Sequence, residues 1–212
     1  MIKDNLVFLR EFITEFKSTG TFFPSSKWAA KALAKPVLAK EREPLNILEA
    51  GPGSGPVTVH ILKHMDDRDS LTVCEINPRF MKALKEKLSK NADYQRHKER
   101  VTFFEGAVQD LPEERTFDAI ICAIPFLNLE RPMVEEIFEK LRRLSNDKTL
   151  MTYFEYIGLR NIGLLASLPE RKRRIQELDL FLKKMLNEHR IARERVWLNV
   201  LPIDIYTLQL AA

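Results

Sequence analysis

Three glycines at alternate positions stand two residues behind an acid in the run Glu49-Ala50-Gly51-Pro52-Gly53-Ser54-Gly55. Glycine lets a backbone turn sharply and come close to a bound molecule. The run follows a short apolar stretch, Leu45 to Glu49, and precedes a helical pattern, so the loop lies where a strand passes into a helix. About 20 residues further on, a second apolar stretch ends in Glu75, followed by Ile76. A carboxylate at that place accepts hydrogen bonds from both hydroxyls of a ribose. Loop and acid together predict a site for an adenosine-containing ligand. The spacing G-x-G-x-G is not the G-x-G-x-x-G of dinucleotide-binding folds, which argues against a dinucleotide.

Two later segments end strands in the same manner. Glu105-Gly106-Ala107-Val108-Gln109-Asp110 follows a third strand, and Ala123-Ile124-Pro125-Phe126-Leu127-Asn128 follows a fourth. The elements that must position them alternate. Strands are expected at 45–49, 71–75, 101–104, 117–124 and 149–157, with helices at 57–65, 77–88 and 133–144 between them. Pro78 suits the first turn of its helix. The run 117–124 is almost wholly apolar, as a central parallel strand should be. A charged helix over 170–189 has an apolar stripe at Ile175, Leu178, Phe181, Leu182 and Met185. Two strands, 196–201 and 203–210, are expected to close the chain as an antiparallel hairpin joined through Pro202. The order predicts a doubly wound α/β fold, a seven-stranded, mostly parallel sheet with helices on both faces.

Ahead of this unit, residues 2–17 read as an amphipathic helix, with Ile2, Leu6, Leu9, Phe12, Ile13 and Phe16 on one side. Gly20 ends it, a turn through Phe22-Phe23-Pro24 follows, and Ser25 or Ser26 caps a helix over 27–38. Two regions are therefore expected: an N-terminal helical lid or membrane-contact segment, 1–40, and a ligand-binding α/β domain, 41–212.

The acid and glycine spacing Glu49-x-Gly51-x-Gly53-x-Gly55 resembles motif I of the class I methyltransferases, whose Rossmann-like sheet also closes with an antiparallel hairpin. That resemblance implies S-adenosylmethionine as cofactor and S-adenosylhomocysteine as product. It implies that the glycine loop passes under the methionine and ribose, that Glu49 supports the amino-acid end, and that Glu75 and Ile76 lie along the ribose. Gly106 and Ala107 stand where the family often has Gly-Asp-Ala for the adenine amino group; with Ala107 in place of the Asp, adenine falls to backbone groups, Gln109 or Asp110. Ala123 ends the strand nearest the methyl acceptor.

Several segments further resemble the bacterial phospholipid N-methyltransferases, which methylate phosphatidylethanolamine, and the related ribosomal RNA adenine dimethylases. They are the N-terminal amphipathic helix, Gly20-Thr21-Phe22-Phe23-Pro24-Ser25-Ser26, the glycine loop, Ile124-Pro125-Phe126-Leu127-Asn128, and Val196-Trp197-Leu198-Asn199 with Pro202. On this resemblance Ser25 and Ser26 join the cofactor-binding set, and Phe22 and Phe23 are candidates for a lid. Methyl transfer to an amine needs a neutral acceptor aligned with the methyl group. Tyr153 and Glu155, which share one face of the fifth strand, are the first candidates for that role, with Phe126 and Asn128 from the loop; Tyr156 points to the opposite face. An RNA adenine methyltransferase is the alternative. Its usual Asn-Pro-Pro-Tyr is absent at Ile124-Pro125-Phe126, and the helical RNA domain that would follow is not expected here. Small-molecule methylation and a non-catalytic cofactor-binding adaptor complete the field.

The composition fits this reading. A net charge of +4 with 30% charged residues suits a soluble globular protein and is compatible with an anionic partner such as a phospholipid surface or RNA. The expected partner is a zwitterionic or anionic phospholipid surface, met through the N-terminal helix, rather than nucleic acid. Arg171 to Arg174, Arg190, Arg193 and Arg195 could add to that surface. Cys74 and Cys122 have neither metal-ligand spacing nor a disulfide framework, so no metal is expected and a reducing, cytoplasmic, membrane-peripheral location is. No oligomeric state is encoded, and a monomer satisfies every feature above.

Overall fold

Three of the strands are largely apolar on both faces, and burial follows. β1 (Asn46–Ala50), β2 (Ser70–Glu75) and β4 (Phe117–Cys122) are buried along nearly their whole length, while β3 (Val101–Glu105) is half-buried at one edge. β5 (Ser145–Tyr156), β6 (Arg190–Val196) and β7 (Ile203–Leu208) complete a seven-stranded sheet of order β3-β2-β1-β4-β5-β7-β6. β1 to β5 run parallel, and β7 is antiparallel to both its neighbours. These elements come from a computed structural model, which describes residues 26–38, 43–157, 169–199 and 201–210.

The helices are α1 (Lys27–Leu33), α2 (Pro56–His64), α3 (Pro78–Leu88), α4 (Ala92–His97), α5 (Arg131–Arg143) and α6 (Pro169–His189). They divide between the two faces of the sheet. α1, α2 and α3 bury Leu33, Ile61 and Leu84 against Ile47, Ala119 and Ile121. On the other face α5 and α6 bury Ile137, Phe138, Leu178 and Leu182 against Leu48, Ile120 and Met151. Alternate residues of one strand thus serve two cores. The helix starts follow from their caps. Ser26 accepts from the Ala29 amide at 3.1 Å, Asn77 from Arg79 at 2.9 Å and Asn91 from Tyr94 at 2.8 Å.

Three expectations need correction. The helix expected over 27–38 stops at Leu33 and gives way to a tighter turn over Lys35–Val37, because Pro36 has no amide to continue it. The strand expected over 196–201 lies earlier, at Arg190–Val196; residues 197–199, 201 and 202 are outside both β6 and β7. α4 and the tight turn after it, Lys98–Arg100, were not anticipated. The expected amphipathic helix 2–17, Gly20, Phe22, Phe23 and Ser25 lie outside the described residues. The described part of the 1–40 region packs on the sheet: Ala29, Ala30 and Leu33 are buried, and the Thr152 hydroxyl donates to the Leu33 carbonyl at 2.6 Å. Among the described residues no helix is long and apolar enough to cross a membrane.

Candidate active site

The C-terminal ends of β1, β2, β3 and β4 meet at one edge of the sheet. There the Gly51 amide donates to the Cys74 carbonyl at 2.9 Å, Gly106 to Glu75 at 3.1 Å and Ala123 to Ala50 at 2.8 Å. These bonds end the ladder and let the loops part around a cleft. The three glycines of the first loop all have positive φ: 76° at Gly51, 55° at Gly53 and 78° at Gly55. Their surroundings differ. A Cβ on Gly55 would sit 2.3 Å from Leu84 Cδ1, and one on Gly51 would meet Ile124 Cγ1 at 3.0 Å. A Cβ on Gly53 would meet nothing within 4 Å. Gly51 and Gly55 are glycine because protein stands against them, while Gly53 opens onto the cleft.

Two acids flank the loop. Glu75 is buried, and its carboxylate accepts from the Gly53 amide at 3.1 Å and from the Asn77 amide at 2.9 Å. Burial raises its pKa, against the pull of the Asn77, Gly53 and Ile76 amides. Glu49 is fully buried on the α2 side, where Thr58 stands beside its carboxyl without reaching full hydrogen-bond geometry. Burial pushes its pKa up to about 8, with Glu75 adding repulsion and Thr58 drawing it partway back. Such a group is held mostly neutral at pH 7. A buried carboxyl short of full hydrogen bonding costs free energy unless a ligand or water completes it.

The cleft is lined by Gly51, Gly53, Glu75, Ile76, Gly106, Ala107 and Ala123, all of them expected cofactor residues. Gln109 lines it as well, beside Ala107, so an amide stands close to the place where a methyltransferase Asp is missing. Glu49 and Gly55 shape the loop from behind. Ser26 lies apart from the cleft lining; its hydroxyl caps α1. Asn77, Phe80, Ile124, Pro125 and Leu129 complete the lining. Phe80 was missed, although an aromatic in the first turn of a helix that starts right after a site carboxylate is a readable signal. Cys74 and Cys122 are buried at this edge, and burial raises both thiol pKa values, so both remain protonated. Among the described residues no group of three or more His, Cys, Asp or Glu side chains is placed to hold a metal ion.

The acceptor-side candidates form a second cluster. Tyr153 is fully buried and its hydroxyl donates to Glu155 Oε1 at 3.0 Å. Its ring packs against Phe126, Phe138 and Tyr206, with centroids 5.6, 5.9 and 5.4 Å away. Phe126, itself buried, starts the tight turn Phe126–Asn128, and Asn128 is half-buried. Tyr153, Glu155 and Phe126 are therefore together, but none of them nor Asn128 lines the cofactor cleft. Tyr156 lies on the opposite face against Phe154, as strand alternation requires. Of the basic residues, Arg193 and Arg195 both pair with Asp204, the register partner of Glu155. Arg173 and Arg174 pair with Glu177 and Glu130.

Residues 47–148 match the family model described as methyltransferase domain. No curated protein matches the chain. Solved structures share its fold at low identity. A precorrin-6y C5,15-methyltransferase from Geobacter metallireducens GS-15 is 15% identical, with a TM-score of 0.58 over 89% of this chain and 90% of its own. The glycopeptide N-methyltransferase MtfA, complexed with S-adenosylhomocysteine, is 11% identical, with a TM-score of 0.64 over 89% of this chain and 91% of its own. The O-methyltransferase TomG from Streptomyces achromogenes, in complex with S-adenosylmethionine, is 15% identical, with a TM-score of 0.58 over 85% and 80%.

Proposed function

We propose that the chain, whose residues 47–148 match a methyltransferase-domain model, is an S-adenosylmethionine-dependent methyltransferase of class I whose methyl acceptor is the amine of phosphatidylethanolamine or of its methylated derivatives, presented at a membrane surface. The residues at the cleft suit the cofactor. Gly53 leaves room where any side chain would intrude, Glu75 stands ready for ribose hydroxyls, and Glu49 keeps a buried carboxyl, short of full hydrogen bonding, behind the loop. Gln109 is the side chain best placed to take over adenine contact from the absent Asp. When bound, S-adenosylmethionine supplies an electrophilic sulfonium methyl group.

The chain's own residues supply alignment and proton handling. An amine attacks only as the free base, so its proton must leave before or during transfer. Glu155, near the C-terminal end of β5 and hydrogen-bonded by Tyr153, is the carboxylate for that proton, provided the bound acceptor extends past the cofactor cleft, which Glu155 does not itself line. The Tyr153 hydroxyl fixes its orientation, and the Phe126, Phe138 and Tyr206 rings hold Tyr153 in place.

The observation that carries the lipid acceptor is the meeting of two segments with lipid-enzyme resemblance. Ser26, from the Phe-Pro-Ser-Ser segment, donates its amide to Oδ1 of Asn199, from the Val-Trp-Leu-Asn segment, at 3.0 Å across 173 residues. Their meeting place is the sheet edge that carries the cofactor cleft, since Tyr156 at the end of β5 pairs with Ile203 at the start of β7. The test is radiolabelled S-adenosylmethionine with phosphatidylethanolamine vesicles. Label entering the chloroform phase supports the reading. Label found only in added ribosomal RNA, or only in small water-soluble acceptors, overturns it.

A further inference from the structure

From the apolar side chains left exposed at this same edge, we infer that the tip of the β6–β7 connection and the start of α1 form a lipid-docking rim. This rests on the lipid-acceptor reading for its purpose but not for its test. The chain has two tryptophans, Trp28 and Trp197, and both are exposed, at 46% and 64%. Leu198, beside Trp197, is 67% exposed. Each tryptophan lies two residues from the Ser26–Asn199 hydrogen bond, so that bond brings the two segments together. Large exposed apolar side chains grouped on one surface mark an interaction site.

The occupant follows from the chemistry of the group. Each indole carries a cation over its ring, Lys27 Nζ at 5.3 Å from the Trp28 centroid and Arg195 Cζ at 5.3 Å from that of Trp197. An indole seated at headgroup depth with a cation beside it suits a phospholipid interface, where the ring meets the acyl boundary and Lys27 meets phosphate, Arg195 being paired with Asp204. Single-stranded nucleic acid would want open ring faces for stacking. Here one face of each ring is already taken, and Leu198 at the tip offers no stacking surface. Because Trp197 and Leu198 follow Val196, which pairs with Ile203 beside Tyr156 at the C-terminal end of β5, docking through them turns that end of the sheet toward the membrane.

With both tryptophans in the rim, the intact protein reports on its own docking. Tryptophan emission should move to shorter wavelength on adding phosphatidylethanolamine–phosphatidylglycerol vesicles, and brominated acyl chains should quench it. The single-tryptophan variants W28F and W197F should each retain the response. A W28A/L198A variant should partition about tenfold less into vesicles, since each side chain loses apolar burial, while methylating phosphatidylethanolamine in detergent micelles at the parent rate. Vesicle sedimentation without change in emission or quenching would overturn the rim, placing contact elsewhere in the chain. Emission already at short wavelength in free protein, and unmoved by vesicles, would mean the chain covers the rim itself and would also overturn it. So would a shift produced by single-stranded RNA and not by vesicles. If emission shifts with vesicles but micellar phosphatidylethanolamine takes no label, the acceptor reading fails and the rim stands.

Discussion

Gly53 and Gly55 share a left-handed backbone but answer to different neighbours. Gly55→Ala must force a methyl group into Leu84 and strain a φ of 78°, so it should lower folding stability by about 1–3 kcal/mol in urea titration. Adding Leu84→Ala to it should not restore the parent, because the backbone strain remains. Gly53→Ala meets no protein atom. It should cost only about 1–2 kcal/mol for the left-handed conformation, yet abolish calorimetric binding of S-adenosylmethionine; binding at parent affinity would remove Gly53 from the cleft floor. Glu75→Ala should weaken that binding by about 1–3 kcal/mol, since it leaves ribose hydroxyls unpaired. Glu49 makes a prediction in pH. Its folded pKa of about 8 lies above its ordinary value of 4.5, so the folded chain keeps a proton that the unfolded chain gives up. Its contribution to stability is complete below pH 4.5 and is lost as pH rises toward about 8. Glu49→Gln removes that slope, so the Tm of the variant relative to the parent should climb between about pH 5 and pH 8. A constant Tm difference over that range would mean Glu49 is ionised in the fold.

At the scale of elements, the contact between α1 and the β6–β7 connection can be cut from either side. Asn199 accepts from Ser26 and donates to Leu201, so Asn199→Ala should cost about 1–2 kcal/mol in thermal unfolding. An effect on stability no larger than that of an exposed surface substitution would show that the contact does not hold the two segments. The same region shows where sequence reading succeeds and fails. β1, β2 and β4 were legible because central parallel strands are buried on both faces and must be apolar. β6, Arg-Ile-Ala-Arg-Glu-Arg-Val, is an edge strand exposed at all but its last residue. Charge on such a strand guards against edge-to-edge pairing and erases the apolar signal. The Val-Trp-Leu-Asn run mimics the interior of a strand, but only Val196, the last residue of β6, is buried; Trp197 and Leu198 are exposed beyond the strand's end. The start of β5, Ser-Asn-Asp-Lys, was hidden for a related reason. Side chains hold it, Asn146 Nδ2 donating to Asp118 and the Thr149 hydroxyl to the Phe117 carbonyl, beside a register shift at Phe117. The glycine loop and Glu75 were legible because their chemistry is local. Tyr153 and Glu155 were correctly placed on one face, but their separation from the cofactor cleft depends on long-range packing around Phe126 and Tyr206.

Across the whole molecule the two edges of the sheet differ in character. The edge away from the cleft carries the turn between α2 and β2, where Asp66 pairs with Arg68 and Asp67 with Arg96 and Arg100 at 3.1, 3.0 and 3.9 Å. Charges there are exposed and mutually satisfied, so they add little attraction to any partner. The cleft edge carries Trp28, Trp197 and Leu198 with Lys27 and the exposed Lys31 beside them. A molecule so divided should bind a membrane in one orientation through two forces with different salt dependence. Coulombic attraction to anionic headgroups fades as the Debye length shrinks from about 10 Å at 0.1 M salt to about 3 Å at 1 M. Apolar insertion does not fade. Retention on phosphatidylglycerol-containing vesicles should therefore fall with added salt to a plateau, and that plateau should match retention on purely zwitterionic vesicles. Complete release by salt would mean that attraction is all electrostatic and that the exposed indoles and Leu198 stay in water.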